Sequence, residues 1–140
     1  MKKKNTDDLQ KELTAAPNLS RFLSDNEDQF INKSFSVQLQ ELFQKSSLSK
    51  AALAKRAGTS EVYLYQLLSG ERIPSRDRAI CLCFGLSATL EETQELLKYS
   101  GFAQLYARNR RDAIISYGLM HKMDLSEIND KLFTENEATL

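Results

Sequence analysis

Apolar residues recur along this chain at intervals of three and four positions. Such spacing places side chains on one face of a helix, whereas a half-buried strand alternates apolar and polar residues. No segment alternates convincingly, and only five glycines and two prolines interrupt the pattern. The stripes that predict buried helix faces are Val37, Leu39, Leu42 and Phe43; Leu64, Leu67 and Leu68; Ala79, Ile80 and Phe84; Ile114, Tyr117 and Gly118; and Leu125, Ile128 and Leu132. The pattern predicts an all-α fold.

Helix boundaries follow from residues that satisfy the free backbone groups at helix ends. Serine, threonine and aspartate accept the first N–H groups of a helix, and glycine adopts the left-handed conformation that often ends one. The predicted caps are Ser49, Ser60 and Ser75, with capping boxes of Thr89 with Glu92 and Asp124 with Glu127, and the predicted stops are Gly58, Gly70, Gly85 and Gly101. Separate helices are therefore expected at 49–56 and 60–69, with a sharp corner at Gly58. Pro17 is expected to separate two short helices near the N-terminus.

The charge of the chain is unevenly distributed. The whole chain is neutral, with 19 basic and 19 acidic side chains, but the segment from Lys45 to Arg78 contains seven basic and three acidic residues, a net of +4. A local positive patch attracts polyanions such as nucleic acid even when the total charge is zero. The arginines of ARNRRD, residues 107–112, are instead expected to form a solvated helix start with a salt bridge to Asp112.

Several classes of protein find no support in the sequence. No apolar run approaches the ~20 residues that a membrane span needs, and no apolar core follows the basic start MKKKNTDD, so a cytoplasmic protein is expected. Cys81 and Cys83 have no second ligand pair, and His121 is the only histidine, so buried thiols are expected and no metal or other cofactor. No phosphate-binding loop or Ser/His/Asp set can be assembled, so enzymatic activity is not expected.

Two helices joined by a short turn that contains glycine are typical of a helix-turn-helix. The segment LSKAALAKRAGTSEVYLYQLLSGERIPS, followed by AICLCFGLSATLEETQELL, resembles the phage-repressor and Cro-like (XRE-type) helix-turn-helix family in its LA pair, glycine turn and S-G-E-R-x-P loop. The resemblance implies a lambda-repressor-like core of five helices at residues 35–100. Residues 1–34 and 101–140 lie outside it and are interpreted as N- and C-terminal helical extensions.

The resemblance also implies a DNA-binding site made by the starts of two helices and the loop after them. Carried over by position, the residues that face base edges are Glu61, Val62 and Gln66, and those near the DNA backbone are Lys50, Ser60, Tyr63, Tyr65, Arg72 and Arg76. Glutamine can pair with adenine, valine can meet a thymine methyl, and glutamate can accept from cytosine N4. Basic and hydroxyl side chains suit phosphate oxygens.

The expected function is sequence-specific binding of duplex DNA by a transcriptional regulator, most simply a repressor. The alternative is a protein-interaction adaptor that keeps the fold without binding DNA and engages a partner through its tyrosines and the surface of residues 125–133. The apolar stripes outside residues 35–100 exceed what a five-helix core requires. The extensions are therefore expected to pack on that core, or to engage a protein partner or a second copy of the chain in a homodimer.

Overall fold

The computed structural model describes residues 3–30 and 34–140, and all regular structure in this part of the chain is helical. The α-helices are α1 Thr6–Ala15, α2 Leu19–Asp25, α3 Phe35–Ser46, α4 Lys50–Ala57, α5 Glu61–Ser69, α6 Arg76–Gly85, α7 Leu90–Tyr99, α8 Arg110–Met120 and α9 Leu125–Thr134, and a single 3-10 turn occupies Glu27–Gln29. The predicted all-α fold is confirmed. No helix among the described residues has the length and apolar character to cross a bilayer.

The chain divides into two compact units, and the first of them contains α1 and α2. The two helices are separated at Pro17, as predicted from the sequence. Asn26 is almost fully buried between them. Its amide donates to Glu12 at 3.0 Å, and the Lys4 ammonium donates to both Glu12 and Asn26 at 2.7 Å. Because a buried polar group must be satisfied, this network fixes the relative placement of α1 and α2.

The second unit contains α3 to α9 around one hydrophobic core. Within it α4 packs on α6, α3 packs on α5 and α7, and the α8–α9 hairpin packs on α6 and α7. The largest fully buried aliphatic side chains of this core are Leu39, Leu53, Leu64, Leu67, Ile80, Leu82, Leu96, Leu97, Ile115, Ile128 and Leu132. The C-terminal helices therefore share their core with the helices of residues 35–100.

The predicted caps of the second unit are confirmed, but one glycine has a different role. The capping boxes of α7 and α9 are both closed. Gly85 is the last residue of α6 and does not have a positive φ; the left-handed residue after α6 is Ser87, with φ 52°. A Cβ on Gly85 would lie 3.0 Å from Leu53 Cδ1 and 3.1 Å from the Ala57 backbone nitrogen. The glycine is required by the close approach of α4 and not by the end of the helix.

Two predicted stripes are confirmed in most positions, but each contains one exposed residue. Val37 is 44% exposed, whereas Gln38 is buried and its amide donates to Ser100 Oγ at 3.1 Å. That hydrogen bond satisfies the buried amide, so Gln38 is buried although the stripe had predicted burial for its neighbour Val37. On α8 the side chain of Tyr117 is exposed, and Ile115 faces the core instead because α8 is covered by both α7 and α9.

Candidate nucleic-acid interface

The corner between α4 and α5 is built from capping residues and one left-handed glycine. Ser49 Oγ accepts the Ala52 N–H at the start of α4, and Ser60 Oγ accepts the Tyr63 N–H at the start of α5. Gly58 has φ 70°, a conformation that glycine adopts without steric cost. The prediction of two separate helices, with Gly58 at the corner between them, is confirmed.

The exposed face of α5 follows from the residues that it buries. Leu64, Leu67 and Leu68 point into the core. With 3.6 residues per turn, or about 100° of rotation per residue, the opposite side of the helix is centred on Val62, Gln66 and Ser69. Val62 is 68% exposed, Ser69 is exposed, and Gln66 is partly exposed. We call these three residues the α5 reading face.

Two of the predicted base-reading residues, Val62 and Gln66, thus lie on the α5 reading face, whereas the third does not. Glu61 lies roughly 100° around the helix axis from the centre of that face, on its flank. Ser69 lies on the same face but was not among the predicted site residues; in the sequence it appeared only within the S-G-E-R-x-P motif. The spacing could have indicated this position, since Ser69 is three positions after Gln66 and seven after Val62, which places all three on one face of a helix.

One flank of the α5 reading face contains a lysine–tyrosine pair. The Lys50 ammonium, in the first turn of α4, lies 5.3 Å from the centroid of the Tyr65 ring on α5. At this distance a cation is attracted by the face of an aromatic ring. Tyr65 is 56% exposed, so both partners of the pair remain accessible from solvent.

The other flank contains a tyrosine between two arginines. The guanidinium carbons of Arg72 and Arg78 lie 5.8 and 5.9 Å from the centroid of the Tyr63 ring. Arg72 belongs to the loop after α5, where its N–H donates to the carbonyl of Gln66 at 3.2 Å, and Arg78 belongs to the first turn of α6. Both arginines are exposed. We call these three residues the Tyr63 cluster; Arg78 was not among the predicted site residues.

Arg76, a predicted contact to the DNA backbone, has internal partners in the structure. Its guanidinium donates to both carboxylate oxygens of Asp112, at 3.0 and 3.3 Å, and to the carbonyls of Ala103 and Gln104. The predicted salt bridge of Asp112 with the neighbouring arginines is wrong, because Arg110 and Arg111 point to other carboxylates. Arg111 pairs with Asp77, and this hydrogen-bonded carboxylate raises the pKa of Arg111.

The other cations of the basic segment are distributed over the surface. Lys45 pairs with Glu92 at 3.0 Å, and Arg56 donates to Ser87 Oγ at 2.7 Å. Both are thereby held by neighbours outside α5. Apart from the internally paired Arg76 and the exposed Lys55, the remaining cations are those of the Lys50–Tyr65 pair and the Tyr63 cluster. Exposed cations therefore flank the α5 reading face on both sides, alongside two exposed carboxylates, Glu61 on α5 and Glu71 in the loop after it.

The two thiols lie in the interior of α6. Cys81 and Cys83 are buried, and burial raises the pKa of Cys83 to about 12. Because the thiolate is the nucleophile and the metal ligand, a thiol that stays protonated is inert in both respects. Within residues 3–30 and 34–140, no group of three or more metal-ligating side chains occurs.

Comparison with protein families decides the identity of this corner. A family model described as a helix-turn-helix domain matches residues 34–96. This match confirms the predicted motif: residues 34–96 form a helix-turn-helix domain. The matched segment extends from the N-cap of α3 into α7 and includes both flanks of the α5 reading face. No curated protein and no solved structure matches the chain.

Proposed function

We propose that this protein binds duplex DNA in a sequence-specific manner and acts as a transcriptional regulator, most simply as a repressor that occupies its operator. The observation that supports this most strongly is the arrangement of α5 in the helix-turn-helix domain. Its exposed side presents an apolar group, an amide and a hydroxyl at Val62, Gln66 and Ser69, with exposed cations on both flanks. This function involves no catalytic step.

In this proposal the α5 reading face enters the major groove, as the second helix of such motifs does. The amide of Gln66 can both donate to and accept from adenine, and the methyl groups of Val62 can meet a thymine methyl. The hydroxyl of Ser69 can pair with either kind of base edge. Glu61 is assigned a secondary role at the rim of the groove, because it lies on the flank of the helix.

The flanking cations would contact the two phosphate backbones that border the groove. On one side, Lys50 and Tyr65 present an ammonium and a hydroxyl donor. On the other side, the donors are the guanidinium groups of Arg72 and Arg78 and the hydroxyl of Tyr63. Ser60 is the N-cap of α5, and the N-terminus of a helix is a site that can bind phosphate. Arg76 is omitted from this set, since four of its five N–H donors are used by Asp112 and two backbone carbonyls.

Selection of binding sites from a random duplex library tests the proposal. We expect the wild-type protein to enrich one motif. The triple variant Lys50→Gln, Arg72→Gln, Arg78→Gln should bind neither the motif nor scrambled DNA. A control that removes three cations elsewhere, Lys98→Gln, Lys122→Gln, Lys131→Gln, should keep both the motif and the affinity. Equal loss in the two triple variants would show that only net charge matters.

The adaptor function has less support from the described side chains. Ile128 and Leu132 on α9 are fully buried and Leu125 is partly buried, so most of the apolar surface of residues 125–133 faces the core. Only Phe133, at 77% exposure, remains a prominent apolar group of that segment. A stable complex with a protein partner, together with no binding to any duplex, would favour the adaptor function.

Assembly on DNA and cellular location complete the proposal. Dimers of helix-turn-helix proteins read two half-sites about 34 Å apart. We therefore propose a homodimer on its operator in the cytoplasm, with residues 1–34 and 101–140 as the regions available for the dimer contact. Sedimentation of the full-length protein with and without the selected duplex tests the dimer. A monomer under both conditions at high concentration would exclude it.

A further inference from the structure

Two Arg–Asp dipeptides from distant parts of the chain pair reciprocally. Arg76 and Asp77 are the first two residues of α6, and Arg111 and Asp112 lie in the first turn of α8. Arg76 donates to both oxygens of Asp112, and Arg111 donates to both oxygens of Asp77 at 3.0 Å. Bidentate pairs fix the orientation of both partners as well as their distance. We call this arrangement the crossed ion pairs.

Further hydrogen bonds make each guanidinium of the crossed ion pairs part of the fold. Arg76 also donates to the carbonyls of Ala103 and Gln104. Arg111 also donates to the carbonyls of Ala138 and Thr139. The side chains of Arg76 and Arg111 are only 25% and 19% exposed. Four of the five N–H donors of each guanidinium are used by these partners, so each arginine has only one left for a phosphate.

The crossed ion pairs lie at one end of the proposed DNA-binding surface. The loop after α5 runs from Gly70 to Ser75 and leads directly into Arg76. Two residues later Arg78 reaches the Tyr63 ring, which Arg72 in the loop approaches as well. An element that holds the first turn of α6 therefore holds Arg78 directly, and it holds the end of the loop that carries Arg72.

We infer that Arg111 and Asp112 of the C-terminal extension are positioning residues for DNA binding, because the crossed ion pairs hold the Tyr63 cluster in place for a phosphate. The inference rests on the proposed function. It assigns to residues 101–140 a role in affinity that does not require direct contact with DNA. It also assigns Arg76 to the support of the surface and not to the surface itself.

The test compares Asp112→Asn with the matched control Arg110→Gln. An amide at position 112 has one acceptor oxygen and no charge, so it can keep the two bonds that Asp112 Oδ2 accepts, from Arg76 and from the Tyr106 N–H, but not the one that Oδ1 accepts from Arg76. We expect affinity for the selected duplex to fall about tenfold, within the range for residues that act at a distance from a ligand. The slope of affinity against salt should not change, because no phosphate contact is removed. Arg110 pairs with Glu135 and Glu137, outside the crossed ion pairs, so its variant should match wild type.

A second measurement needs no DNA. The Arg72 N–H donates to the Gln66 carbonyl, so its hydrogen exchange reports the order of the loop. Exchange should accelerate in Asp112→Asn and not in Arg110→Gln, while core amides of α7 stay protected. Should Asp112→Asn fail to fold, Arg111→Gln replaces it, since Asp77 is the more exposed of the two carboxylates.

The outcomes separate the inference from the proposed function. A wild-type protein that binds no duplex overturns the proposed function and with it the assigned role in DNA binding. Normal wild-type binding, with affinity and loop exchange unchanged in Asp112→Asn, overturns the positioning role alone. An affinity that rises in Asp112→Asn, together with a steeper salt slope, would show that released Arg76 binds phosphate and would also overturn it.

Discussion

The ammonium of Lys50 lies against the ring of Tyr65, so the first turn of α4 and the exposed flank of α5 meet at a lysine. The N-terminus of a helix is its positive end and disfavours a cation, whereas the contact with the Tyr65 ring favours one. No carboxylate is present in the first turn of α4 to offset the charge of Lys50. The placement is understandable if Lys50 faces an anion that is supplied by the ligand.

Lys50→Glu should therefore weaken DNA binding with little net change in stability. The new charge complements the helix dipole by roughly 0.3–1 kcal/mol, and the lost contact with the Tyr65 ring offsets it by about 0.5–1 kcal/mol. Affinity for duplex DNA should fall for every sequence. Thermal unfolding and binding titrations measure the two effects. The control Lys55→Glu, at the other end of α4, should lower stability instead; a Lys50 variant that binds DNA as wild type does would exclude the proposed contact.

Gln66 and Arg72 should be separable as a base reader and a phosphate anchor. Gln66→Ala should cost roughly 1–3 kcal/mol at the selected site and relax preference at one position. Arg72→Ala should weaken binding to all duplexes similarly and flatten the salt slope by about one unit. Binding to the selected and to scrambled duplex over a salt series distinguishes the two. If Gln66→Ala leaves preference untouched, the α5 reading face is wrongly assigned.

Gly85→Ala should destabilise the second unit. The added Cβ would lie 3.1 Å from the Ala57 backbone nitrogen, which cannot move without shifting α4. Overpacking of this kind costs about 1–3 kcal/mol, partly offset by a gain in helix propensity of up to about 1 kcal/mol. Denaturant unfolding measures the difference, with Ser116→Ala on α8 as a control that crowds no neighbour. A more stable Gly85→Ala protein would contradict the close packing of α4 on α6.

The capping box of α7 should make stability depend on pH in the acid range. The hydrogen bond from the Thr89 N–H, with a further contribution from Lys45, lowers the pKa of Glu92 below its ordinary value of 4.5. A lowered pKa means that the charged form adds stability above the ordinary value and that this is lost as pH falls through the lowered value. Glu92→Gln keeps the cap geometry without the charge. The two proteins should therefore differ in unfolding free energy at neutral pH and converge in acid; a gap that widens in acid would contradict this.

The sequence predicted the fold well where local chemistry decides it, and the surface less well where distant segments meet. Ser60 and Gly58 act within one turn of the chain, so their roles could be predicted from neighbours alone. Arg76 was assigned to the DNA backbone by position in the motif. Its partner Asp112 is 36 residues away, and no local pattern predicts that the two helix starts meet. The exposure of Tyr117 and the burial of Ile115 were not predicted for the same reason, since packing against α7 and α9 decides which residues of α8 are buried.

The salt dependence of binding to the selected duplex tests the central claim most directly. Each neutralised phosphate contributes roughly 0.9 to the slope of log affinity against log salt. With Lys50, Arg72 and Arg78 as anchors, we expect a slope of about −2.7 per protomer, together with a clear preference for the selected site over scrambled DNA. A slope near zero with no preference between the two duplexes would contradict the claim that this helix-turn-helix domain reads DNA.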